Sequence, residues 1–288
     1  MNKNIIFSPL EYIKKSETCF PFSEKESNRK YAELIIIHVA RISKLDIYLN
    51  KTLLISEEEK AKIDSFSDRV LLHEPIQYIL GETQFRELNL KVTPGVLIPR
   101  PETELLVEKA LQFINDNDEV LDIGTGSGAI ALSIAKEKPK VHVTAVDVSD
   151  IAVNCSQLNA KLNNILNVQI FQSDLYEKVK GKKFNIIISN PPYVTEAEYI
   201  NLDKNVKEYE PKLALTSGND GLDCIKKIIE DSLFHLNKGG YLFLEIGCMQ
   251  GESVRELLLK TNFFANIQIM KDLNGLNRIA MATTQKFN

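Results

Sequence analysis

The sequence predicts an α/β fold, in which a mostly parallel sheet of about seven strands follows a small helical domain. At 288 residues the chain is long enough for about two domains of roughly 150 residues each. From residue 103 onward, apolar strand-like runs alternate with helical runs, and this alternation is typical of a parallel sheet covered by helices on both faces. Hydrophobic residues make up 44% of the chain and charged residues 26%, which excludes disordered and fibrous classes.

Residues 1–80 are predicted to form the helical domain. Ser23 with Glu26, and Ser56 with Glu59, have the spacing of a capping box, in which a hydroxyl and a carboxylate satisfy the free amides at a helix start. Each pair precedes a run with apolar residues three and four apart.

Residues 81–100 are predicted to be a β-hairpin connector, because apolar residues alternate there and 93–95 (Thr-Pro-Gly) reads as a turn. The sheet domain then occupies 101–288. Its strand candidates are 119–123, 141–147, 167–171, 184–189, 241–246, 265–270 and 278–283. Its helix candidates are 103–114, 128–137, 150–162, 221–236 and 250–260. The link between the last two strands is too short for a crossover helix, so these strands should pair antiparallel.

A glycine-rich loop follows the first of these strands and leads directly into a helix. Its residues are Gly124, Thr125, Gly126, Ser127 and Gly128. Glycines at such a turn let a ligand approach the main chain and the amides of the helix start. Asp147 ends the next strand, where a carboxylate can accept both hydroxyls of a ribose. The same residues also fit the G-x-G-x-x-A pattern of nicotinamide or flavin dinucleotide sites, so this loop alone leaves the cofactor open.

A second loop, Asn190-Pro191-Pro192-Tyr193, follows the strand at 184–189. Each proline biases the residue before it toward extended backbone and leaves a carbonyl without a competing amide donor. An amide side chain, acceptor carbonyls and an aromatic ring at the end of a strand can hold a planar NH₂ group. The loop therefore indicates recognition of an amide or an exocyclic amine.

Together the two loops resemble S-adenosylmethionine-dependent methyltransferases that modify planar nitrogens. The wider sequence is most similar to bacterial release factor glutamine methyltransferases, the HemK/PrmC family, over residues 74–281. The segments that carry this resemblance are 74–81 (EPIQYILG), 96–104 (VLIPRPETE), 189–193 (SNPPY), 209–211 (YEP), 220–223 (DGLD) and 244–247 (LEIG). One departure is Ser217-Gly218, where the family more often has two glycines.

The resemblance implies a Rossmann-like, seven-stranded S-adenosylmethionine-dependent methyltransferase sheet whose last strand is antiparallel. It also implies methyl transfer from S-adenosyl-L-methionine to the side-chain nitrogen (N5) of the glutamine in the Gly-Gly-Gln motif of peptide chain release factors. By resemblance, Asn190 and Pro191 accept the two hydrogens of that amide and Tyr193 packs against its plane, with Pro192 completing the substrate site. The cofactor residues implied are the glycine loop, Asp147, Asp174, Leu175 and Asn190.

Two other functions use some of the same residues. An adenine-N6 DNA or RNA methyltransferase has a similar tetrapeptide, but it normally carries a basic recognition region, whereas the net charge here is −4. A dinucleotide-dependent oxidoreductase would leave the Asn-Pro-Pro-Tyr loop unexplained. We therefore expect a protein substrate, no direct nucleic-acid binding and no metal site.

The remaining expectations concern location. The longest strongly apolar stretch, 34–40, is far short of the roughly 18 residues that span a bilayer. The N-terminus lacks the pattern of a secretory signal, and the four cysteines are too widely spaced for C-x-x-C pairs. These features predict a cytoplasmic protein with reduced thiols and no membrane association.

Overall fold

The structure, a computed structural model, describes residues 4–285 and forms two compact units. The first unit comprises the chain up to Gly81 together with Lys204–Tyr209, and the second comprises Glu82–Asp203 and the chain from Glu210 onward. Residues 1–3 and 286–288, which belong to the predicted domains 1–80 and 101–288, lie outside the described part.

The first unit is mainly helical. Its helices are α1 (Pro9–Cys19), α2 (Lys25–Ala40), α3 (Lys44–Leu49), α4 (Glu57–Leu71), α5 (Ile76–Leu80) and α10 (Lys204–Tyr209). Ile35, Ile36 and Ile63 are fully buried in its core. Two short strands, β1 (Asn4–Phe7) and β2 (Leu53–Ser56), pair antiparallel in this unit, whereas the sequence predicts only helices. Strands of four residues show too little alternation to be recognised, and their pairing depends on residues far apart in the chain.

One of the two predicted capping boxes forms. The Ser56 hydroxyl accepts from the Glu59 amide at 3.1 Å, and the Glu59 carboxylate accepts from the Ser56 amide at 2.7 Å. The box predicted for Ser23 and Glu26 is wrong, because α2 begins at Lys25 without a side-chain cap. The buried Asn28 side chain orders this turn instead, accepting from the Phe22 amide at 3.2 Å and donating to nearby carbonyls.

The second unit contains the seven-stranded sheet. Its strands are β5 (Glu119–Ile123), β6 (His142–Asp147), β7 (Val168–Gln172), β8 (Phe184–Ser189), β9 (Leu236–Glu245), β10 (Phe264–Lys271) and β11 (Asn277–Thr284). They lie in the order β10-β11-β9-β8-β5-β6-β7. Its helices are α6 (Pro101–Leu111), α7 (Ala129–Glu137), α8 (Asp150–Leu162), α9 (Glu196–Ile200), α11 (Asp223–Ser232) and α12 (Gly251–Lys260). β11 runs antiparallel to both neighbours and the other pairs are parallel, which confirms the predicted fold class.

A hairpin of β3 (Glu82–Phe85) and β4 (Leu88–Lys91) precedes the sheet and shares its core. The sequence places the hairpin turn at 93–95, but the strands reverse at Arg86 and Glu87, and 96–98 is not a strand. Arg86 has a left-handed φ of 49° there, and its side chain bonds to Glu137 at 2.7 Å. These tertiary contacts stabilise a turn that has no local sequence signal.

The carboxyl ends of the central strands lie at one edge of the sheet. Ile123 at the end of β5 is in register with Ser189 at the end of β8 and with Val146 of β6, and Ser189 is in register with Leu244 of β9. The loops that follow these strands are therefore neighbours, as expected for ligand sites of parallel sheets.

Candidate active site

The loops at this edge surround a cavity of about 450 Å³, a size usual for small-molecule sites. Most of the residues singled out in the sequence line it. They are Gly124, Thr125, Gly126, Ser127, Asp147, Asp174, Leu175, Asn190, Pro191 and Pro192. The structure thus brings the glycine loop and the Asn-Pro-Pro segment to one cavity, although they are more than sixty residues apart in the numbering.

The glycine loop is held open toward the cavity by backbone hydrogen bonds. The amides of Gly124 and Thr125 both donate to the Val146 carbonyl, at 2.8 and 3.0 Å. Gly124 and Gly126 have φ values of 72° and 57°, and a Cβ on either would meet nothing within 4 Å. The space above the two glycines is therefore available to a ligand that lies against the main chain.

Gly128 has a different role from the two cavity glycines. It is the N-cap of α7 with a φ of 87°, and a Cβ there would lie 2.9 Å from Leu132 and 3.1 Å from Ser156. Glycine at this position permits close packing between α7 and α8, so its contribution to the site is indirect.

Asp147 is half-buried at the end of β6. Its carboxylate accepts from the Gly126 amide at 2.9 Å and from the Ser149 amide at 2.9 Å. Burial raises the pKa of Asp147, and these two amides oppose the shift. The carboxylate lies on the cavity wall beside the glycine loop, where it can accept hydrogens from neighbouring hydroxyl groups.

Asp122 supports the loop from below, and sequence reasoning assigned it no role. It is fully buried in β5, where its Oδ2 accepts from the Thr125 hydroxyl at 2.7 Å and from the Ala131 amide at 3.2 Å. Its Oδ1 has no hydrogen-bond partner among residues 4–285. Burial raises the pKa of Asp122 to about 7. A charged residue within an otherwise apolar strand is the signal that could have identified it.

Asp174 and Leu175 form another part of the wall, after β7. The Ser173 amide donates to the Asp147 main-chain carbonyl at 2.9 Å, which ties this loop to β6. Leu175 has a left-handed φ of 43°, and its carbonyl accepts from the Ser173 hydroxyl at 3.1 Å. The loop presents an apolar side chain next to a carboxylate, a combination suited to a flat ring that carries an amine.

Asn190 follows β8 and turns its side chain toward α6. The Ser189 hydroxyl donates to the Ile123 carbonyl at 2.7 Å, which fixes the end of β8 against β5. The Asn190 Nδ2 donates to the Thr103 Oγ1 at 3.0 Å, and the Thr103 hydroxyl donates to the Glu245 carboxylate at 2.6 Å. The sequence singled out neither Thr103 nor Glu245 as a site residue. Both lie in segments that carry the family resemblance, 96–104 and 244–247, but nothing in either segment shows that the two side chains meet near Asn190.

Tyr193 packs against the core on the other side of the loop. Its hydroxyl donates to the Glu245 Oε1 at 3.2 Å. Burial and the neighbouring Glu245 carboxylate raise the pKa of Tyr193, so its hydroxyl keeps its proton. Burial also raises the pKa of Glu245, while hydrogen bonds from Thr103 and Tyr193 and the charge of Arg278 oppose that shift. The stacking of the Tyr193 ring on a substrate amide stays a prediction.

Two further contacts fix the backbone around this loop. The Gln250 Nε2 donates to the Tyr193 carbonyl at 2.9 Å, and a Cβ on Gly221 would lie 2.2 Å from the same carbonyl oxygen.

Arg100, on the cavity wall, donates to the buried Glu210 carboxylate at 2.6 Å, and that carboxylate also accepts from the Ile98 amide at 3.1 Å.

Comparison with known proteins identifies the family. Residues 101–207 match the family model of the methyltransferase small domain, and residues 11–81 match that of the PrmC N-terminal domain. A release factor glutamine methyltransferase of Thermodesulfovibrio yellowstonii is 39% identical over 281 residues, which are 96% of this chain and 98% of that protein. The chain belongs to the release factor glutamine methyltransferase family. A family member from Buchnera aphidicola is 39% identical over 277 residues, 96% of this chain and 98% of that one. The predicted family and the predicted methyltransferase class are thereby confirmed.

Solved structures agree with the fold of this methyltransferase. A Pyrococcus furiosus methyltransferase superposes with a TM-score of 0.54 at 21% identity, covering 80% of this chain and 99% of that one. A T. thermophilus 16S rRNA methyltransferase, solved in complex with AdoMet and guanosine, has a TM-score of 0.54 at 20% identity. The match covers 71% of this chain and 50% of that one. At these identities the likeness establishes the shared fold.

Membrane-spanning helices and metal-ligand clusters are both absent from residues 4–285. No helix in that range is long and apolar enough to cross a membrane. Nor does the range contain a group of three or more His, Cys, Asp or Glu side chains placed to hold a metal ion.

Proposed function

We propose that this methyltransferase transfers the methyl group of S-adenosyl-L-methionine to the side-chain amide nitrogen (N5) of the glutamine in the Gly-Gly-Gln motif of peptide chain release factors. The observation that carries the proposal is the position of Asn190 and Pro191 on the same cavity as the open glycine loop and Asp147. One cavity thus offers a cofactor surface and acceptors for a planar NH₂ group. The printed names of the relatives, which describe release factor glutamine methylation, support the choice of substrate.

The cavity wall fits S-adenosylmethionine residue by residue. The space above Gly124 and Gly126 suits a ligand that lies on the main chain, and Thr125, Ser127 and Gly128 complete this loop. In our proposal Asp147 accepts the ribose hydroxyls, and Asp174 with Leu175 holds the adenine ring and its amine. When bound, this cofactor supplies a methyl group on a positively charged sulfur.

The substrate side of the cavity would activate a poor nucleophile. An amide nitrogen reacts slowly because its lone pair is delocalised, and two fixed acceptors on its hydrogens return electron density to nitrogen. The Asn190 Oδ1 and the Pro191 carbonyl are those acceptors in our proposal, with Pro192 on the cavity wall. Tyr193, which packs against the core beside this loop, would lie against the plane of the amide. The Asn190 Oδ1 and the Pro191 carbonyl would hold the amide nitrogen while S-adenosylmethionine, when bound, supplied the methyl group and kept the C–S electron pair on its sulfur. The nitrogen would release one proton to solvent. Fixed alignment of this kind can contribute about 7–11 kcal/mol of barrier lowering.

We assign separate roles to the predicted domains. Every residue that lines the cavity belongs to the sheet unit, which begins at Glu82. In our proposal methyl transfer is the role of residues 101–288, and Gly95 to Arg100 of the connector add part of the cavity wall. Residues 1–80, which include the PrmC N-terminal match, would recognise the release factor, with 81–100 as the connector. Because translation termination takes place in the cytoplasm, this is where the enzyme would act.

The test uses purified release factor with enzyme and S-adenosylmethionine, followed by intact-mass measurement and peptide mapping. We expect a gain of one methyl group on a single glutamine, and no gain when that glutamine is replaced by asparagine. Asn190→Ala should abolish the gain while its melting temperature stays near wild type. Parallel incubations with DNA and RNA test the adenine-N6 alternative, and methylation of nucleic acid without methylation of release factor would refute the proposal.

A further inference from the structure

A chain of hydrogen bonds between buried residues lies behind the Asn190 amide. It runs from the Asn190 Nδ2 to the Thr103 Oγ1 at 3.0 Å and on to the Glu245 Oε2 at 2.6 Å, and the Tyr193 hydroxyl bonds to the other Glu245 oxygen at 3.2 Å. Thr103 is 3% exposed and Glu245 is 1% exposed. Thr103 touches the cavity wall, but both side chains are almost fully buried, so their hydrogen bonds depend on these protein partners.

The chemistry of the groups fixes the direction of each bond. A carboxylate has acceptors only, so the Thr103 hydroxyl must give its single proton to Glu245. The Thr103 oxygen can then only accept, and the Asn190 amide must turn its NH₂ toward it. The Asn190 Oδ1 is left as the atom of this amide that can accept a hydrogen from a molecule in the cavity.

We infer that Thr103 and Glu245 are positioning residues that orient the Asn190 amide so that its oxygen, rather than its NH₂, meets the substrate nitrogen. This inference rests on the proposed function, since it explains how that site distinguishes an NH₂ group from a carbonyl. If the Asn190 amide were rotated by half a turn, its NH₂ would face the NH₂ of the substrate, and two donors cannot bond to each other. The arrangement therefore selects ligands that present a donor at this point.

The position of the two residues in the fold supports the inference. Thr103 lies in the first turn of α6 and Glu245 is the last residue of β9, next to the strand that leads into Asn190. Burial raises the pKa of Glu245, whereas the hydrogen bonds from Thr103 and Tyr193 and the charge of Arg278 favour the carboxylate form that the bond directions require. The Glu245 carboxylate and the Thr103 hydroxyl, which lies between Glu245 and Asn190, thus come from β9 and α6 of the sheet unit.

The experiment compares Thr103→Val with Thr103→Ser in the full-length enzyme. Valine keeps the shape but removes the hydroxyl, so we expect kcat for release factor methylation to fall by about ten-fold or more, the effect of losing one buried hydrogen bond to a polar group. Serine keeps the hydroxyl and should restore kcat to near wild type. The Kd for S-adenosylhomocysteine should stay nearly unchanged in both variants. Thr144→Val, at a buried threonine of β6, controls for the substitution itself and should keep wild-type kcat.

A second measurement does not depend on turnover. In enzyme labelled with ¹⁵N-asparagine, the Asn190 side-chain NH₂ resonances, assigned by their loss in Asn190→Ala, should shift in Thr103→Val and return in Thr103→Ser. Thr103→Ala provides the same comparison if the valine variant does not fold. Wild-type kcat and unchanged resonances in Thr103→Val would overturn the inference, as would equal losses in the valine and serine variants. Wild-type enzyme that leaves release factor unmethylated would refute the proposed function, and the resonances would still decide the role of Thr103.

Discussion

Asp122 beneath the glycine loop allows a quantitative test of the site's electrostatics. Replacement by asparagine keeps an oxygen that can accept from the Thr125 hydroxyl and the Ala131 amide, but it removes the ionisable group. The two proteins should therefore differ in how their stability depends on pH. The sign follows from the raised pKa of Asp122, about 7 against an ordinary 3.8.

Below an ordinary aspartate pKa, Asp122 is neutral in both the folded and the unfolded chain. As pH rises toward 7, the unfolded chain loses a proton that the folded chain retains, so the free energy of unfolding falls. Above about pH 7 Asp122 is charged in both states, and its effect on the free energy of unfolding no longer changes with pH. A difference of one in pKa corresponds to about 1.4 kcal/mol, so the free energy of unfolding falls by on the order of 4 kcal/mol across this window.

Urea unfolding of wild type and Asp122→Asn between about pH 4 and pH 8 measures this difference. The stability of Asp122→Asn relative to wild type should rise by that amount across the window, because asparagine has no proton to lose. Any constant offset from the buried amide is independent of pH and does not affect the slope. Asp116→Asn, at an exposed carboxylate of the same unit, should follow the wild-type profile. Parallel profiles for wild type and Asp122→Asn would refute the reasoning.

Three further substitutions test separate parts of the structure. Asp147→Ala should weaken binding of S-adenosylhomocysteine by about ten-fold or more in calorimetry, because it removes a charged hydrogen-bond acceptor; an unchanged Kd would exclude Asp147 from the cofactor site. Gly221→Ala should lower stability by at least about 2 kcal/mol and reduce methyl transfer, since its Cβ would meet the Tyr193 carbonyl and its φ is 72°; a wild-type melting curve would contradict this. Ser56→Ala should cost about 1 kcal/mol in urea unfolding by removing the cap of α4, with methyl transfer retained.

The strands of the sheet could be predicted from the sequence because each is a continuous apolar run ended by a clear break. The predicted bounds 119–123 and 184–189 coincide with β5 and β8. The sequence predicts a strand at 241–246, whereas β9 begins at Leu236. Gly239 and Gly240 suggest a turn there, but Gly240 lies inside the strand, where a Cβ would come within 2.9 Å of the Asn185 carbonyl oxygen. A glycine required for close approach between strands has the same sequence signal as a glycine in a loop.

The site residues also divide into those that the sequence could predict and those that it could not. The glycine loop, Asp147 and the Asn-Pro-Pro segment could be found because they combine unusual residue types with the end of a strand, and the structure places them on one cavity. Thr103 and Glu245 could not be found by such reasoning, since their importance depends on which strands are neighbours. The order of β9, β8 and β5 in the sheet is a tertiary property, and no local pattern in the sequence encodes it.

The supporting residues on the two sides of the cavity share one arrangement. Asp122 lies beneath the cofactor loop and Glu245 behind the substrate loop, and each buried carboxylate accepts the proton of one threonine hydroxyl, from Thr125 and Thr103 respectively. A buried carboxylate lowers stability, so each would be expected to be replaced by an apolar residue if folding were the only constraint. What Glu245 supplies as a carboxylate is direction, because a group that only accepts determines which way the Thr103 hydroxyl points. On the substrate side the orientation of the Thr103 hydroxyl in turn orients the Asn190 amide. A destabilising buried carboxylate therefore lies where the orientation of a hydrogen bond decides what the cavity can bind.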